Sequence, residues 1–193
     1  ATQALLRRLA FSNVGVPPVT GVRTVRVYLT DGSGGTSLPV TTTINVQAIN
    51  VAPIVTLPTA AVAWTEHASP SLIDSAATVS DSDSASLNGG TMVVTLTGAV
   101  VGDDISIRSV GVGAGQVSVS GSTIMVSGVS VGSFVGGTGT TPLTISFTAQ
   151  GTPAVAQAIL REIQFQHFGQ FTAVETRTVS VTVADGIDPS AAA

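Results

Sequence analysis

The chain contains no cysteine, no lysine and few charged residues. The absence of cysteine excludes disulfides, zinc–thiolate sites and thiol chemistry. Only 9% of the 193 residues are charged, against roughly 25% in typical soluble domains. All seven basic residues are arginines, and the net charge is −4. Because no basic stripe exists to neutralise phosphates, nucleic acid is not an expected partner.

Aromatic residues and long hydrophobic runs are also scarce. No uninterrupted stretch of about 18 apolar residues occurs, so we expect no membrane insertion. With one Trp and one Tyr, the chain offers little for a glycosidase cleft, which needs two opposed carboxylates lined by aromatics. His67 and His167 belong to no recognisable catalytic motif. We therefore expect a protein that is not an enzyme.

What the chain does contain favours β-structure. Its apolar residues are mostly Val, Ala and Ile, mixed with abundant Thr, Ser and Gly, a combination typical of strands joined by glycine-rich turns. Thr152 and Pro153 predict the start of one short helix that runs to about Glu162. The expected strands are roughly Leu9–Asn13, Val22–Thr30, Leu38–Ala48, Ile54–Leu57, Ala61–Glu66, Ser71–Ser80, Thr91–Gly98, Ile105–Val112, Val117–Ser120, Thr123–Val126, Ile163–Phe168 and Val174–Ala184.

The beginning of the chain repeats its end. At a constant offset of 154, residues 1–39 align without a gap to residues 155–193, with twelve identities that include Arg23 with Arg177 and Asp31 with Asp185. A self-match at one offset is typical of tandem architecture. The same offset places a second short helix over Thr2–Arg8.

The repeat predicts a module boundary near Asn50–Pro53, where a proline interrupts strand pairing. Residues 1–50 are then the C-terminal strands of a preceding repeat. Residues 51–193 are a second repeat that lacks its last strand, because residues 38–49 have no counterpart after it. The missing strand would come from a continuing chain, from another chain, or from a permuted arrangement within the chain.

Several short motifs occur in a characteristic order. They are Trp-Thr-Glu (64–66), Thr-Val-Ser-Asp-Ser-Asp-Ser (78–84), Ala-Gln-Ala-Ile-Leu-Arg (156–161), Arg-Thr-Val-x-Val (177–181) and Asp-Gly (185–186), with Ile-Asn-Val-Ala-Pro (49–53) at the boundary. This order resembles the cadherin-like tandem repeats of giant bacterial surface and secreted proteins. The resemblance implies an Ig/cadherin-like antiparallel β-sandwich and an extracellular or cell-surface array that calcium stiffens. Val51 stands where the linker of those arrays usually carries Asp.

An Ig-like topology brings several oxygen-bearing side chains to one end of the module. Asp-x-Asp places two carboxylates on the same side of an extended segment, and calcium takes six to eight oxygen ligands. The expected calcium ligands there are Asn50, Asp81, Asp83, Asp185 and Asp188, and the resemblance adds Glu66. The alternatives are plain Asp/Ser turns and, for Glu66, a solvated edge carboxylate. We expect Asp103-Asp104 to form a plain turn at the opposite end.

The expected function is a non-catalytic structural or adhesive module whose partners are neighbouring repeats of the same protein. An alternative is a subunit of an extracellular filament or sheath, assembled by strand donation between chains (β-augmentation). A carbohydrate-binding module is a third class, for which the chain has few aromatics. The extracellular assignment is partly compositional, and cysteine-free cytosolic domains share that composition.

Overall fold

The computed structural model describes residues 2–14, 20–47, 49–59, 61–170 and 175–186. The fold is all-β with antiparallel pairing, and two short helices accompany the strands of the described residues. The chain divides into two compact units, residues 1–49 and 50–193. Each unit is described by itself.

Unit 1 consists of a short helix and a hairpin. Helix α1 spans Thr2–Leu6, and strands β1 (Gly21–Val27) and β2 (Val40–Val46) pair antiparallel from Gly21↔Val46 to Val27↔Val40. The Asp31 carboxylate holds the connection between them, because Oδ1 accepts hydrogen bonds from Ser33 N at 2.8 Å and Gly35 N at 3.0 Å. These bonds lower the pKa of Asp31.

One face of this hairpin is apolar and open. Val25, Val27 and Ile44 line a groove of about 560 Å³ together with Leu6 and Leu9. Leu9 is 64% exposed. The expected strand Leu9–Asn13 is absent, since residues 9–14 have no regular structure. Its counterpart in unit 2, Ile163–His167, forms a strand that pairs with two neighbouring strands. Among the described residues of unit 1, β1 and β2 pair only with each other. A strand needs a partner for its backbone groups.

Unit 2 contains the sandwich. Its strands pair into a six-stranded sheet of order β13-β6-β11-β10-β9-β8, a three-stranded sheet β4-β12-β7 and a pair β3-β5. The elements are β3 (Ile54–Thr56), β4 (Ser71–Leu72), β5 (Thr78–Ser80), β6 (Thr91–Thr97), β7 (Asp103–Ile107), β8 (Val117–Ser120), β9 (Thr123–Val126), β10 (Val129–Val135), β11 (Leu143–Phe147), α2 (Pro153–Leu160), β12 (Ile163–His167) and β13 (Thr178–Ala184).

The two larger sheets share one hydrophobic core. Val94 and Ile145 of the six-stranded sheet belong to the same buried cluster as Ile105 and Ile163 of the three-stranded sheet. Alternation explains this arrangement: in β7 and β11 every second residue is buried, so each strand gives one face to the core. The fully buried side chains with the largest volumes are Leu87, Met92, Ile124, Leu143, Ile145, Ile159, Leu160 and Ile163.

Helix α2 begins as the sequence predicts and ends at Leu160, two residues before the expected end at about Glu162. The Thr152 Oγ1 accepts a hydrogen bond from Val155 N at 3.2 Å, and Pro153 occupies the first turn. The helix buries Ala156, Ile159 and Leu160. At its C-terminal end the Arg161 Nε donates to the Ala77 carbonyl at 2.8 Å.

Two strand predictions before β6 in unit 2 were wrong or incomplete. Residues 61–66 form no strand, and Ser71–Ser80 is two short strands, β4 and β5. Asp74 interrupts the latter: its carboxylate is buried and accepts hydrogen bonds from Thr59 N and Ala76 N, both at 2.8 Å. Such local bonds compete with a strand ladder. Val174, where the last strand was expected to begin, lies outside the described residues.

Strands β10 and β11 were missed altogether. In β10 the alternation is broken by a register shift between Ser130 and Gly132, as in a β-bulge. Gly132 is required there by close backbone approach, because a Cβ at this position would lie 2.4 Å from the Ser146 carbonyl oxygen. A glycine inside a weakly alternating run hides a strand from pattern analysis.

Candidate functional site

The two ends of unit 2 carry different polar groups. Strand β6 pairs with β13 from Thr91↔Ala184 to Thr97↔Thr178, so Asp185 and Arg177 lie at opposite ends of the sheet. We name the end with Asn50–Pro53, Asp81–Ser84 and Asp185 the linker pole. The end with Asp103, His167 and Arg177 is the far pole.

At the linker pole, hydrogen bonds connect three of the expected calcium ligands. Asp81 follows β5, and its Oδ1 accepts from Asp83 N at 3.1 Å and Ser84 N at 2.9 Å. Asp83 Oδ2 accepts from Val51 N at 3.0 Å. Ser84 Oγ donates to Asp185 Oδ2 at 3.3 Å. The Asp-x-Asp segment is therefore tied both to the start of the unit and to the end of β13.

The second oxygen of each carboxylate in the Asp-x-Asp segment has different surroundings. Among the described residues, Asp81 Oδ2 and Asp83 Oδ1 are buried and accept no hydrogen bond, and the Asn50 amide nitrogen is likewise buried without a partner. A 180° rotation of the Asn50 amide would put its oxygen at that position. Buried anionic oxygens without donors are costly, and oxygen atoms are the ligands that calcium prefers. These atoms fit a calcium ion in chemical type.

The number of side-chain ligands at the linker pole is lower than the six to eight ligands that calcium takes. In the part of the chain that the structure describes, no three His, Cys, Asp or Glu side chains converge closely enough to hold a metal ion. Asp185 is 7% exposed and belongs to the linker pole, while Asp188 lies outside the described residues. Any cation there would need the Asn50 amide, backbone carbonyls or water to complete six ligands.

Glu66 does not join this group. Trp64, two residues before it, packs edge-on against Phe165 and His167, with ring centroids 5.8 and 6.4 Å apart. Because His167 belongs to the far pole, Glu66 lies at the opposite end of the unit from Asp81 and Asp83. Its Oε1 is buried without a hydrogen bond and lies 3.9 Å from His67 Nε2.

The far pole holds a buried charged cluster that the sequence analysis missed. Asp103, expected in a plain turn, begins β7 with its side chain fully buried. Its Oδ1 lies 2.8 Å from His167 Nδ1, and its Oδ2 accepts from Arg177 Nε at 2.7 Å and Val100 N at 2.8 Å. The His167 and Arg177 side chains are only 5% and 10% exposed.

The carboxylate of Asp103 remains ionised in this setting. Burial alone would raise its pKa, but the hydrogen bonds from Arg177, Val100 N and His167 outweigh burial and lower it. Burial alone would lower the pKa of Arg177, but the contact with Asp103 raises it, and Glu175 Oε2 forms a second ion pair with Arg177 Nη2 at 2.7 Å. The cluster links β7, β12 and the segment before β13, so its role is structural.

The sequence held one signal for this cluster. Arg177 repeats Arg23, which indicates a structural role for this arginine in each module. Its partner Asp103 has no counterpart in residues 1–49, since the repeat covers only residues 155–193. The self-match therefore could not show that the arginine binds a buried carboxylate.

Comparison with known proteins gives no relative: no family model, no curated protein and no solved structure matches the chain. No helix among the described residues has the length and apolar character needed to cross a membrane.

Proposed function

We propose that the chain is a non-catalytic structural or adhesive module of a large bacterial extracellular protein, in which β-sandwich repeats follow one another. One observation carries this proposal. Strand β1 and strand β13 are related by the offset of 154, and the same side-chain positions of both point inward: Val25 and Val27 in β1, Val179 and Val181 in β13. The recurrence of the same strand with the same apolar, less exposed face is expected of tandem modules.

The extracellular location and the bacterial origin rest on the resemblance to cadherin-like repeats and on composition. The buried and strongly bonded groups at both poles support a mechanical role, because they fix the ends of the sandwich. The Asp103 cluster secures the far pole through Arg177 and His167, and the Asp81–Asp83 segment secures the linker pole through Val51.

Calcium is the proposed cofactor of the linker pole. Asp81 Oδ2 and Asp83 Oδ1 carry this proposal because they are buried acceptors without donors among the described residues. The proposed set of ligands also includes Asn50, Asp185 and Asp188, the last of which lies outside the described residues. Glu66 is left out because it lies at the far pole. Bound calcium would neutralise the carboxylates and stiffen the junction at Val51.

Thermal unfolding of the full chain in calcium and in chelator tests the site. A cation that binds only the native state stabilises it by about 2.7 kcal/mol at a concentration of 100 Kd, so calcium should raise the melting temperature. Asp81→Asn and Asp83→Asn should abolish the increase, while Asp104→Asn at the far pole should retain it. Equal melting temperatures in calcium and chelator would rule out a structural calcium site.

The tandem arrangement has its own test. Asp31-Gly32 and Asp185-Gly186 are equivalent positions, so a chain of residues 1–186 followed by residues 33–50 would continue the repeat across an identical dipeptide. We expect this extended chain to melt at a higher temperature than the original. A chain with the appended residues in scrambled order is the matched control. Equal stability of the extended and scrambled chains would contradict the module assignment.

A second candidate is a filament or sheath subunit that receives a strand from another chain. The observation that favours it is the position of β13 at the edge of the six-stranded sheet. Within unit 1, its repeat counterpart β1 pairs with β2.

A further inference from the structure

We infer that the turn at Thr65–Ala68 is one half of a zinc site, which two copies of this chain complete by binding one zinc ion between them. Each copy supplies a carboxylate oxygen of Glu66 and an imidazole nitrogen of His67, so the metal receives the four protein ligands of a structural zinc site. The site is distinct from the calcium site proposed at the linker pole, because Glu66 lies at the far pole. It adds a contact between chains to the proposed function and does not depend on that function.

The backbone of this turn places a histidine where a glycine is usual. Ala68 N donates to the Thr65 carbonyl at 2.9 Å, so Glu66 and His67 are the two central residues of a β-turn. His67 has a φ of +62°, and the second central position of a turn with positive φ there usually takes Gly or Asn. In the described part of the chain, the strands before and after His67, β3 and β4, do not pair with each other. No hairpin therefore accounts for this conformation, and residues held in strained conformations cluster at functional sites.

The carboxylate of Glu66 has one oxygen that is shielded from water and lacks a donor. Among the described residues, Glu66 Oε1 is buried without a hydrogen bond, although the side chain as a whole is 30% exposed. His67 Nε2 lies 3.9 Å from this oxygen, which is beyond hydrogen-bond distance. A buried anionic oxygen without a donor is costly, and a cation between the two atoms would satisfy it.

The separation of the two atoms is close to what one metal ion requires. Zinc lies about 2.0 to 2.2 Å from carboxylate oxygens and about 2.0 to 2.1 Å from imidazole nitrogens, so two ligand atoms on a tetrahedral zinc are about 3.3 Å apart. The observed 3.9 Å between Glu66 Oε1 and His67 Nε2 is slightly longer. Because the His67 side chain is 77% exposed, a small rotation of its ring can close the difference.

The kinds of ligand atom point to zinc. Calcium takes oxygen ligands, so an imidazole nitrogen beside a carboxylate does not suit it. Histidine and glutamate are both regular zinc ligands, and zinc in structural sites is tetrahedral. Copper(II) and nickel(II) also bind imidazole but favour square-planar arrangements, which makes them the comparison metals for an experiment.

One copy of the chain supplies only part of such a site. The sequence has no cysteine and two histidines, and the side chain of the second, His167, is 5% exposed beside Asp103. No third His, Cys, Asp or Glu side chain joins Glu66 and His67 among the residues that the structure describes. Since a structural zinc site has four protein ligands, a second copy of the same turn is the source of the other two. The contact is then isologous, with one two-fold axis through the metal.

The surroundings of the turn allow a second copy to approach. Thr65, His67 and the next three residues, Ala68, Ser69 and Pro70, are all exposed, and apart from His67 their side chains are small or compact. Two chains of net charge −4 repel each other. A divalent cation between two Glu66 carboxylates removes the local part of this repulsion, because the formal charges of the three groups sum to zero.

Sedimentation velocity of the full chain measures the assembly, with zinc chloride in one arm and a chelator in the other. We expect zinc to convert monomers to dimers and the conversion to saturate at one zinc ion per two chains. Calcium at the same concentration should leave the distribution as it is in chelator. Cobalt in place of zinc should dimerise the chain and show the intense visible absorption of tetrahedral coordination.

Two substitutions remove the ligands without disturbing the turn. His67→Asn removes the imidazole and keeps a residue that tolerates positive φ, and Glu66→Gln keeps the shape but removes the charge. Outer-shell partners of zinc ligands alone are worth about 10- to 100-fold in metal affinity, so either change should weaken zinc-dependent dimerisation at least about tenfold. Thr65→Ala, in the same turn, should retain both the dimer and the cobalt absorption. Melting temperatures in chelator show that each variant is folded.

Three results would overturn the inference. Zinc bound at one ion per chain without dimers would show that water, not a second copy, completes the site. Equal zinc-dependent dimerisation of the unmodified chain and both ligand variants would contradict the ligands, and dimerisation by copper or nickel but not by zinc would contradict the metal. The calcium response of Asp81→Asn and Asp83→Asn is unaffected by any of these results, so the proposed function is tested separately.

Discussion

Replacement of Asp103 by Asn should strongly destabilise the sandwich. The Asp103 side chain is fully buried between His167 and Arg177, which are themselves 5% and 10% exposed. Asn keeps the shape but removes the negative charge and turns one acceptor into a donor that faces other donors. Breaking a buried ion pair by removing one partner costs about 3 to 5 kcal/mol. Because Glu175 also bonds Arg177, we expect the lower value, about 3 kcal/mol.

Urea unfolding of the full chain at pH 7 measures this loss, and Asp104→Asn is the matched control. Asp104 is the next residue along β7, half-buried, and bonded only to Gln166 Nε2 at 3.0 Å among its side-chain contacts in the described residues. Its replacement should cost less than about 1 kcal/mol, which is typical for a single partly exposed hydrogen bond. A difference between the two variants below that value would refute the role assigned to the buried cluster.

The pH dependence gives an independent test with a defined sign. The hydrogen bonds from Arg177, Val100 N and His167 lower the pKa of Asp103 in the folded state despite its burial. A carboxylate with a lowered folded pKa contributes stability that is present above its unfolded pKa, about 3.9, and is lost as pH falls through the folded pKa. The stability gap between the native chain and Asp103→Asn should therefore be present at pH 7 and shrink below about pH 4. A gap that persists unchanged at pH 3 would contradict the ionised carboxylate.

Two further substitutions test local packing, each by thermal or urea unfolding. Gly90→Ala should cost about 3 kcal/mol, because its Cβ would lie 2.0 Å from the Ala184 carbonyl oxygen where β6 meets β13. Gly121→Ala is its control at an open hairpin position with φ of +59°, and it should cost about 1 kcal/mol of backbone strain; equal losses would show that Gly90 has room. Thr152→Ala should lower the free energy of unfolding by about 1 kcal/mol through loss of the α2 cap. Thr152→Ser should retain most of that free energy because it keeps the hydroxyl. Equal losses for the two variants would mean that the hydroxyl does not cap the helix.

The comparison of sequence with structure shows which signals were local and which were not. Helix α2 was predictable because Thr152, Pro153 and the apolar spacing act within one turn of each other. Strand β6 and the hairpin of β8 and β9 were predictable because their alternation and turns are also local. Strand β10 was not, because Gly132 is explained only by the Ser146 carbonyl beside it.

The polar groups at the two poles show the same difference between local and non-local signals. The Asp81–Asp83 segment was predicted from its spacing to ligate calcium, which stays a prediction. Its hydrogen bonds to Val51 and, through Ser84, to Asp185 bring these residues to one pole. Glu66 was expected with them, but the long connection before β4 carries it to the far pole beside Trp64. The Asp103 cluster could not be found, because its three members come from positions 103, 167 and 177 and share no motif.

The sequence by itself determined the β class, the repeat and the boundary region near Asn50, because these depend on composition, alternation and self-similarity along the chain. Only the tertiary structure decided which polar groups become buried partners and in which order the strands pair. Burial and pairing depend on which distant segments meet across the core, and no local pattern encodes that.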